Sequence, residues 1–548
     1  MENILLLVAS CLCALCAILS FVPAFYKHGE TLIRLPWLLA TVIVVYDVGR
    51  MINLLVLSKF EYKYVYSHSN SETELIYKIS SLWSGQEGSF LLWALILSIM
   101  GFFLLQMKGK GVNWAFGIYA SITSCVLLMC FITNPFAKNS IVPADGLGLN
   151  EALKDPWMVV HPPLVFISYS AMALLFSLSA TLTQKISKNV TDRILLWLRV
   201  SWLFLGTGIL SGSIWAYRAL GWGGYWAWDP IENAAFVPWL VICAYLHARE
   251  YHKPSVCIIP FSIACFGVFL ARSGILKDQS AHAYADGNII VTGIIFFIIL
   301  GAVLFLSFTK FRKQDDKRIK NSFSLYDKRL ITHSLYIYAS LIFFGTIAPI
   351  VLHIETPVAY YTAISIIFTL IYVTLLLTWD MECLKRQNIL MIAVSTAFVI
   401  GIIILTRSLV FWWLLLVWFC LMPLSLWLIS GFKTKSWKYY LTHLGILLLV
   451  IGSIGSSALN REEVTMCNPD SSSVVISGIE IQMTSLLEKE MLIKSLPAED
   501  IVIKCSEIVP LSQGGILIPY VRKPLIILFW IGSLLIIVQP VLRYIPRH

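Results

Sequence analysis

Thirteen consecutive residues, Gly221-Trp222-Gly223-Gly224-Tyr225-Trp226-Ala227-Trp228-Asp229-Pro230-Ile231-Glu232-Asn233, set four aromatic rings and three glycines between two apolar runs. Trp and Tyr present broad apolar faces with one polar handle each, and glycine lets backbone approach a ligand closely. A flat, apolar, polarisable ligand suits such a surface. Trp222, Gly223, Gly224, Tyr225, Trp226 and Trp228 are therefore the candidate platform. Aromatic belts at a membrane interface account for two or three rings without any ligand, so the informative feature is their density among glycines. Asp229, Pro230 and Glu232 have a local structural role, because Asp at the N-cap, Pro at N1 and Glu at N3 start a helix at Pro230. Asp229 and Glu232 read as cap residues, not as acids or metal ligands.

The run resembles the tryptophan-rich WWD signature of the haem-handling membrane proteins of cytochrome c maturation, the CcmF, NrfE and CcsA group. Further stretches resemble the same family. Trp83-Ser84-Gly85-Gln86-Glu87-Gly88-Ser89 is similar to its Gly-Gln-Glu-Gly segment, and His161-Pro162-Pro163, Arg272-Ser273-Gly274 and Thr442-His443-Leu444-Gly445 follow in the same topology. The resemblance covers most of the chain and implies a haem-binding platform on the outer face of a membrane.

Composition sets the elements that must hold such a platform. With 548 residues, 58% hydrophobic and 13% charged, the chain lies outside the soluble range. Segments of roughly 20 apolar residues span a bilayer, and about fifteen are found by that measure, from 4–26 to 524–542 and including 289–309, 389–405 and 409–430. The predicted fold is all-α and polytopic. The first apolar stretch lacks a basic n-region and is expected to be a retained helix. Every second loop is basic, from Lys27 and Arg34 to Arg543 and Arg547. By the positive-inside rule these loops are cytoplasmic, the N-terminus and the Trp-rich loop are outside, and the C-terminus is inside. The net charge of +10 is accounted for by those loops and calls for no nucleic acid. The predicted organisation is a transmembrane core over 1–459 with its Trp-rich loop at 216–233, a small β-rich external domain over 460–522, where apolar and polar residues alternate, and a last helix with a tail over 523–548. Of the twelve cysteines, most lie in apolar runs and behave as small hydrophobes. Cys467 and Cys505 fall in the external segment, where a disulfide can form. No Cys-x-x-Cys-His occurs, so covalent haem of the chain's own is not expected.

Haem iron is commonly held by His. His161, before two prolines that break a helix at that point, and His282 share the outer side with the Trp-rich loop. His247 and His443 do not: sixteen residues of helix from Ile231 to His247 rise roughly 24 Å, beyond one porphyrin. If His161 and His282 hold one haem at the outer face, His247 and His443 would hold another near the inner face. The resemblance implies the same division, with His161 and His282 as ligands of incoming haem and His247 and His443 as ligands of a resident haem b. His252 and His333 remain rivals on the inner side and His353 on the outer, while His28, His68 and His548 read as surface residues. Arg218 and Arg272 are candidates for the haem propionates, since guanidinium binds carboxylate bidentately; interfacial anchoring is their other reading. Asp47 and Arg50 read as an i,i+3 pair.

The resemblance implies a haem lyase subunit of system I cytochrome c biogenesis in a bacterial inner membrane. It would take haem from a CcmE-like chaperone and promote thioether attachment to apocytochrome c beside CcmH/CcmI-like or NrfF/NrfG-like subunits. No catalytic acid or base is singled out, and iron enters only through haem. The compact external segment resembles the NrfE-type lyases, dedicated to an unusual haem site of a nitrite reductase. A haem exporter and a passive haem-binding scaffold are the remaining classes.

Overall fold

A backbone in lipid must satisfy its own hydrogen bonds, so a chain this apolar folds as helices. The computed structural model describes residues 2–22, 29–107, 111–181, 188–219, 224–247, 258–275, 293, 301, 328–381, 437–468, 471–487, 491–497, 499–510 and 515–542. Its helices are α1 (Glu2–Phe21), α2 (Gly29–Val56), α3 (Lys63–His68), α4 (Leu75–Ser80), α5 (Gln86–Leu105), α6 (Val112–Thr133), α7 (Pro156–Thr181), α8 (Lys188–Ala219), α9 (Pro230–His247), α10 (Ile258–Arg272), α11 (Lys328–Val351), α12 (Val358–Met381), α13 (Trp437–Ala458), α14 (Met483–Leu487) and α15 (Ile526–Leu542). Among the described residues, eight helices are long and apolar enough to cross a membrane, namely α1, α2, α5, α6, α7, α8, α11 and α12. The chain is a mostly helical, polytopic membrane protein with a small sheet near its C-terminus. The expected spans at 389–405 and 409–430, and that at 289–309 apart from Gly293 and Gly301, lie outside the described residues.

The chain forms two compact units, Met1–Trp215 with Trp226–Tyr361, and Ala216–Tyr225 with Thr362–His548. In the first, α1 packs on α2 and α6, α5 on α2, α6 and α7, α10 on α7 and α9, and α11 on α9. Trp37, Phe90, Trp93 and Tyr119 are fully buried there, and Trp37 Nε1–H donates to the Ser98 carbonyl at 3.1 Å. The loop after α6 returns across α3: Lys63 N–H donates to Ala137 O at 2.8 Å and Leu147 N–H to Tyr66 O at 2.8 Å. The Ser71 hydroxyl and backbone N–H both donate to Asp145, at 2.6 and 2.9 Å, and hold its carboxyl below the usual carboxylate range. The expected Asp47–Arg50 pair is not made. Arg50 Nε donates instead to Glu2 at 2.9 Å.

In the second unit α13 packs on α15. The antiparallel sheet comprises β1 (Arg461–Cys467), β4 (Met491–Ser495), β5 (Glu499–Lys504), β6 (Val509–Pro510) and β7 (Ile516–Pro524), in the order β1-β7-β5-β4 with β6 also on β7. β2 (Ser473–Ile476) and β3 (Ile479–Gln482) form a hairpin. Ser477 and Gly478, both at positive φ, make its two-residue turn. Ile476, Ile481, Ile501, Ile503 and Ile518 build the sheet's core. Cys467 and Cys505 are buried in that core as free thiols, not as a disulfide.

Candidate functional site

His161 lies on the second turn of α7, which runs unbroken through Pro162 and Pro163. The break expected at this point does not occur. Asp155 starts the helix, its carboxylate accepting Trp157 N–H at 2.9 Å ahead of a proline at N1. Pro162 lacks the N–H that would reach four residues back, and the carbonyl so released, that of Met158, accepts Trp83 Nε1–H at 3.2 Å. The tryptophan that opens the Gly-Gln-Glu-Gly segment thus offsets the missing helical bond.

The His161 ring is held by α8. Its Nδ1–H donates to Gly208 O at 2.7 Å. One turn on, a Cβ at Gly212 would stand 2.8 Å from His161 Cε1 and 2.9 Å from Nδ1, so only glycine leaves room for the imidazole. Trp215 lies nearly parallel to it, with ring centroids 6.5 Å apart at 16°. An Nδ1–H committed to a carbonyl puts the imidazole lone pair on Nε2, the tautomer of an iron ligand.

The Trp-rich loop turns by the predicted cap. Asp229 Oδ1 accepts Ile231 N–H at 2.7 Å, while Glu232 Oε2 reaches back to the N–H groups of Ala227 at 2.9 Å and Asp229 at 3.2 Å. Trp228 has φ +58°, a left-handed conformation that is uncommon for a bulky residue. Asn233 maintains it: fully buried, it donates to the Trp228 carbonyl at 3.1 Å and to Thr346 Oγ1 at 3.1 Å. Trp228 consequently stacks on Tyr361, with centroids 5.3 Å apart at 9°, and stands edge-on to Trp226 at 5.9 Å. The row continues from Trp226 to Phe236, Trp239 and Trp202.

The other predicted residues are distributed as follows. Tyr225 belongs to the second unit, where its ring lies 4.0 Å from that of Phe529 and 6.2 Å from that of Trp530. Gly224 immediately precedes it; Trp222, Gly223, His282 and His252 lie outside the described residues, as do His28 and His548. His247 ends α9 with Nδ1–H on Cys243 O at 2.8 Å, which again leaves the lone pair on Nε2. His443, in the second unit, stacks on Tyr372 with centroids 6.4 Å apart at 17°. Arg272, in the last turn of α10, lies over the Phe90 ring at 5.7 Å. Arg218 is exposed in the last turn of α8. His333 and His353 are exposed. His68, read as a surface residue, is instead packed against Tyr64, with centroids 4.3 Å apart. Among the described residues no three or more His, Cys, Asp or Glu gather to hold a metal ion.

Sequence reasoning missed Asn233, the two glycines beneath His161, and Tyr361. The i,i+4 spacing of Gly208 and Gly212 ahead of Trp215 was the available signal for the histidine's seat. Nothing near Tyr361 in sequence marks it as a stacking partner.

The chain is similar to several known proteins. A family profile described as cytochrome C assembly protein matches residues 83–276. The chain is 27% identical over 491 residues to the cytochrome c-type biogenesis protein NrfE of Haemophilus influenzae, covering 81% of this chain and 77% of that one. It is 31% identical over 322 residues to CcmF of Escherichia coli and 35% over 314 residues to CcmF of Pseudomonas fluorescens. It spans 49% and 47% of the length of these two relatives. A solved structure of the cytochrome c heme lyase CcmF aligns with 100% of this chain and 98% of its own, with a TM-score of 0.76 and 16% identity. At that identity the likeness is one of fold.

Proposed function

We propose that the chain, which is similar to the cytochrome c-type biogenesis proteins NrfE and CcmF, is the haem lyase subunit of a maturation complex in the bacterial inner membrane. The observation that carries this reading is the seat of His161. Nδ1–H is tied to Gly208 O and the ring is fixed between Gly212 and Trp215, so Nε2 is oriented before any ligand arrives.

The substrate is haem from a CcmE-like chaperone, met on the outer side by the Trp-rich loop, with the N-terminus outside and the C-terminus inside. His161 and His282 supply axial nitrogens. Trp226 and Trp228, with Trp222 and Tyr225, offer the apolar platform, and Arg272 and Arg218 the cations for the propionates. Each apocytochrome thiol then adds across one vinyl double bond: the S–H bond breaks, a C–S bond forms, and the hydrogen goes to the other vinyl carbon. No net oxidation accompanies this addition. The protein's part is to hold thiol and vinyl in one orientation, a matter of proximity. CcmH/CcmI-like or NrfF/NrfG-like subunits would present the apocytochrome.

His247 and His443 would ligate a resident haem b, and the Nδ1–H of His247 on Cys243 O fits that role. Such a haem, when bound, supplies electrons that keep the substrate iron ferrous. A second reading, a lyase of the NrfE type dedicated to one unusual haem site, is favoured by the extent of similarity: the match to NrfE covers 81% of this chain, against 55% for Escherichia coli CcmF.

The test is holocytochrome formation together with the reduced-minus-oxidised visible spectrum of the purified complex. His161→Ala should abolish holocytochrome c and keep a resident b-type signal, while His443→Ala should lose that signal. Full holocytochrome yield in the His161→Ala strain would sink the outer-site reading.

A further inference from the structure

The unexplained polar cluster of the first unit lies where α1 begins, α2 nears its end and α6 stops. Asp47 is fully buried, and neither of its carboxylate oxygens has a hydrogen-bond partner among the described residues. A carboxylate in that state is costly unless something neutralises it. Arg50, on the same helix, does not: its Nε donates to Glu2 at 2.9 Å. The Tyr62 hydroxyl also donates to Glu2, at 3.2 Å, so Glu2 is satisfied where Asp47 is not.

Two further oxygens share this state. Oδ1 of Asn3 and Oδ1 of Asn134 are buried and lack partners among the described residues. Asn3 is anchored beside them, its Nδ2 donating to Phe131 O at 3.1 Å in the last turn of α6. Asn134 closes that helix, its backbone N–H on Cys130 O at 3.0 Å. Asp47 lies close enough to Glu2 and Cys130 to interact with both electrostatically. Asp47, Asn3 and Asn134 thus bring four bare acceptor oxygens to the end of the bundle marked by Glu2, Cys130 and Phe131.

The donor set decides what fills it. A proton on Asp47 would give one donor for one acceptor and leave the remaining oxygens bare. Arg50 is taken by Glu2, so among the described side chains the charge of Asp47 has no ion-pair partner, and a monovalent ion neutralises it where a divalent ion over-compensates. Carboxylate and amide oxygens with no His or Cys are hard ligands. We propose that Asp47, Asn3 and Asn134 form a sodium-ion site that ties together the ends of α1, α2 and α6.

The detergent-purified full chain tests this by saturable binding of radioactive sodium and by thermal unfolding in sodium chloride against choline chloride at equal ionic strength. Wild type should bind sodium and show a Tm that rises with sodium and then saturates. Asp47→Asn should lose both responses while still melting cooperatively in choline chloride. Asn134→Ala should weaken binding without abolishing it, and it carries the test if Asp47→Asn does not fold. A wild-type Tm indifferent to sodium, or undiminished sodium binding in Asp47→Asn or Asn134→Ala, would overturn the site. So would stabilisation that follows falling pH at every salt composition, because the occupant is then a proton.

Discussion

His161 and His68 are built alike and differ in one direction. Each gives Nδ1–H to a carbonyl, His161 to Gly208 O at 2.7 Å and His68 to Tyr64 O at 2.9 Å. Each lies near-parallel to an aromatic ring and meets a glycine. At His161 the atoms nearest an added Cβ on Gly212 are Cε1 and Nδ1, with Nε2 farther off at 3.3 Å. At His68 the atom nearest an added Cβ on Gly85 is Nε2 itself, at 2.5 Å. His68 therefore sets its lone-pair nitrogen closest to the Gly85 backbone, whereas His161 sets its Cε1–Nδ1 edge against Gly212 and holds Nε2 farther from it. The same three contacts make a structural histidine in one place and a candidate ligand in the other.

Substituting the two glycines is the direct way to break that comparison. Gly85→Ala should have the larger effect on stability, about 3 kcal/mol, the upper end for overpacking. Its Cβ meets both His68 and Tyr64, and Tyr64 is fixed by hydroxyl bonds to Ser81 O and Leu82 O at 2.8 and 2.9 Å. Protein that still folds should bind external haem as wild type does. Gly212→Ala should cost only about 1 kcal/mol, since one ring edge has to move, yet weaken external haem binding about tenfold or more, as loss of a ligand's outer support does. Unfolding midpoints and haem titration of both variants decide the matter. Equal loss of haem affinity in the two would make His68 and His161 equivalent and remove the distinction.

The comparison also shows what a sequence discloses. The Asp229-Pro230-Ile231-Glu232 cap was legible because its bonds close within a few residues and the residue types state the geometry. The small sheet was legible from alternation, the period of a half-buried strand. The seat of His161 joins residues 47 positions apart, and no local pattern says that the helix continues through two prolines. That continuity depends on Trp83, which donates from another helix's approach to the carbonyl Pro162 leaves open. Asp47 escapes a local reading for the same reason: the nearest cation in sequence is Arg50, whereas packing of α1 on α2 gives Arg50 to Glu2. His68 lies in a polar stretch, and its packing against Tyr64 and against Gly85 of the next segment is set by the fold.

The smallest effect sharpens the comparison from the solution side. Burial lowers the pKa of His68 below its ordinary value of 6.5, and this outweighs the opposing pull of the Tyr64 carbonyl and of Glu87. A depressed pKa means that the folded protein keeps His68 neutral where the unfolded chain has already bound a proton. Above pH 6.5 neither state is protonated and the residue adds no pH dependence. As pH falls through 6.5 the unfolded chain takes up the proton first, so stability declines until the folded-state pKa is reached and then levels. Amide exchange over residues 60–88 should accordingly speed up between about pH 7 and pH 5 once intrinsic exchange is divided out. His68→Gln should remove that slope while leaving external haem binding intact. If the slope persists in His68→Gln, protonation at this ring is not its source, and the contrast between the two histidines rests on the glycine substitutions alone.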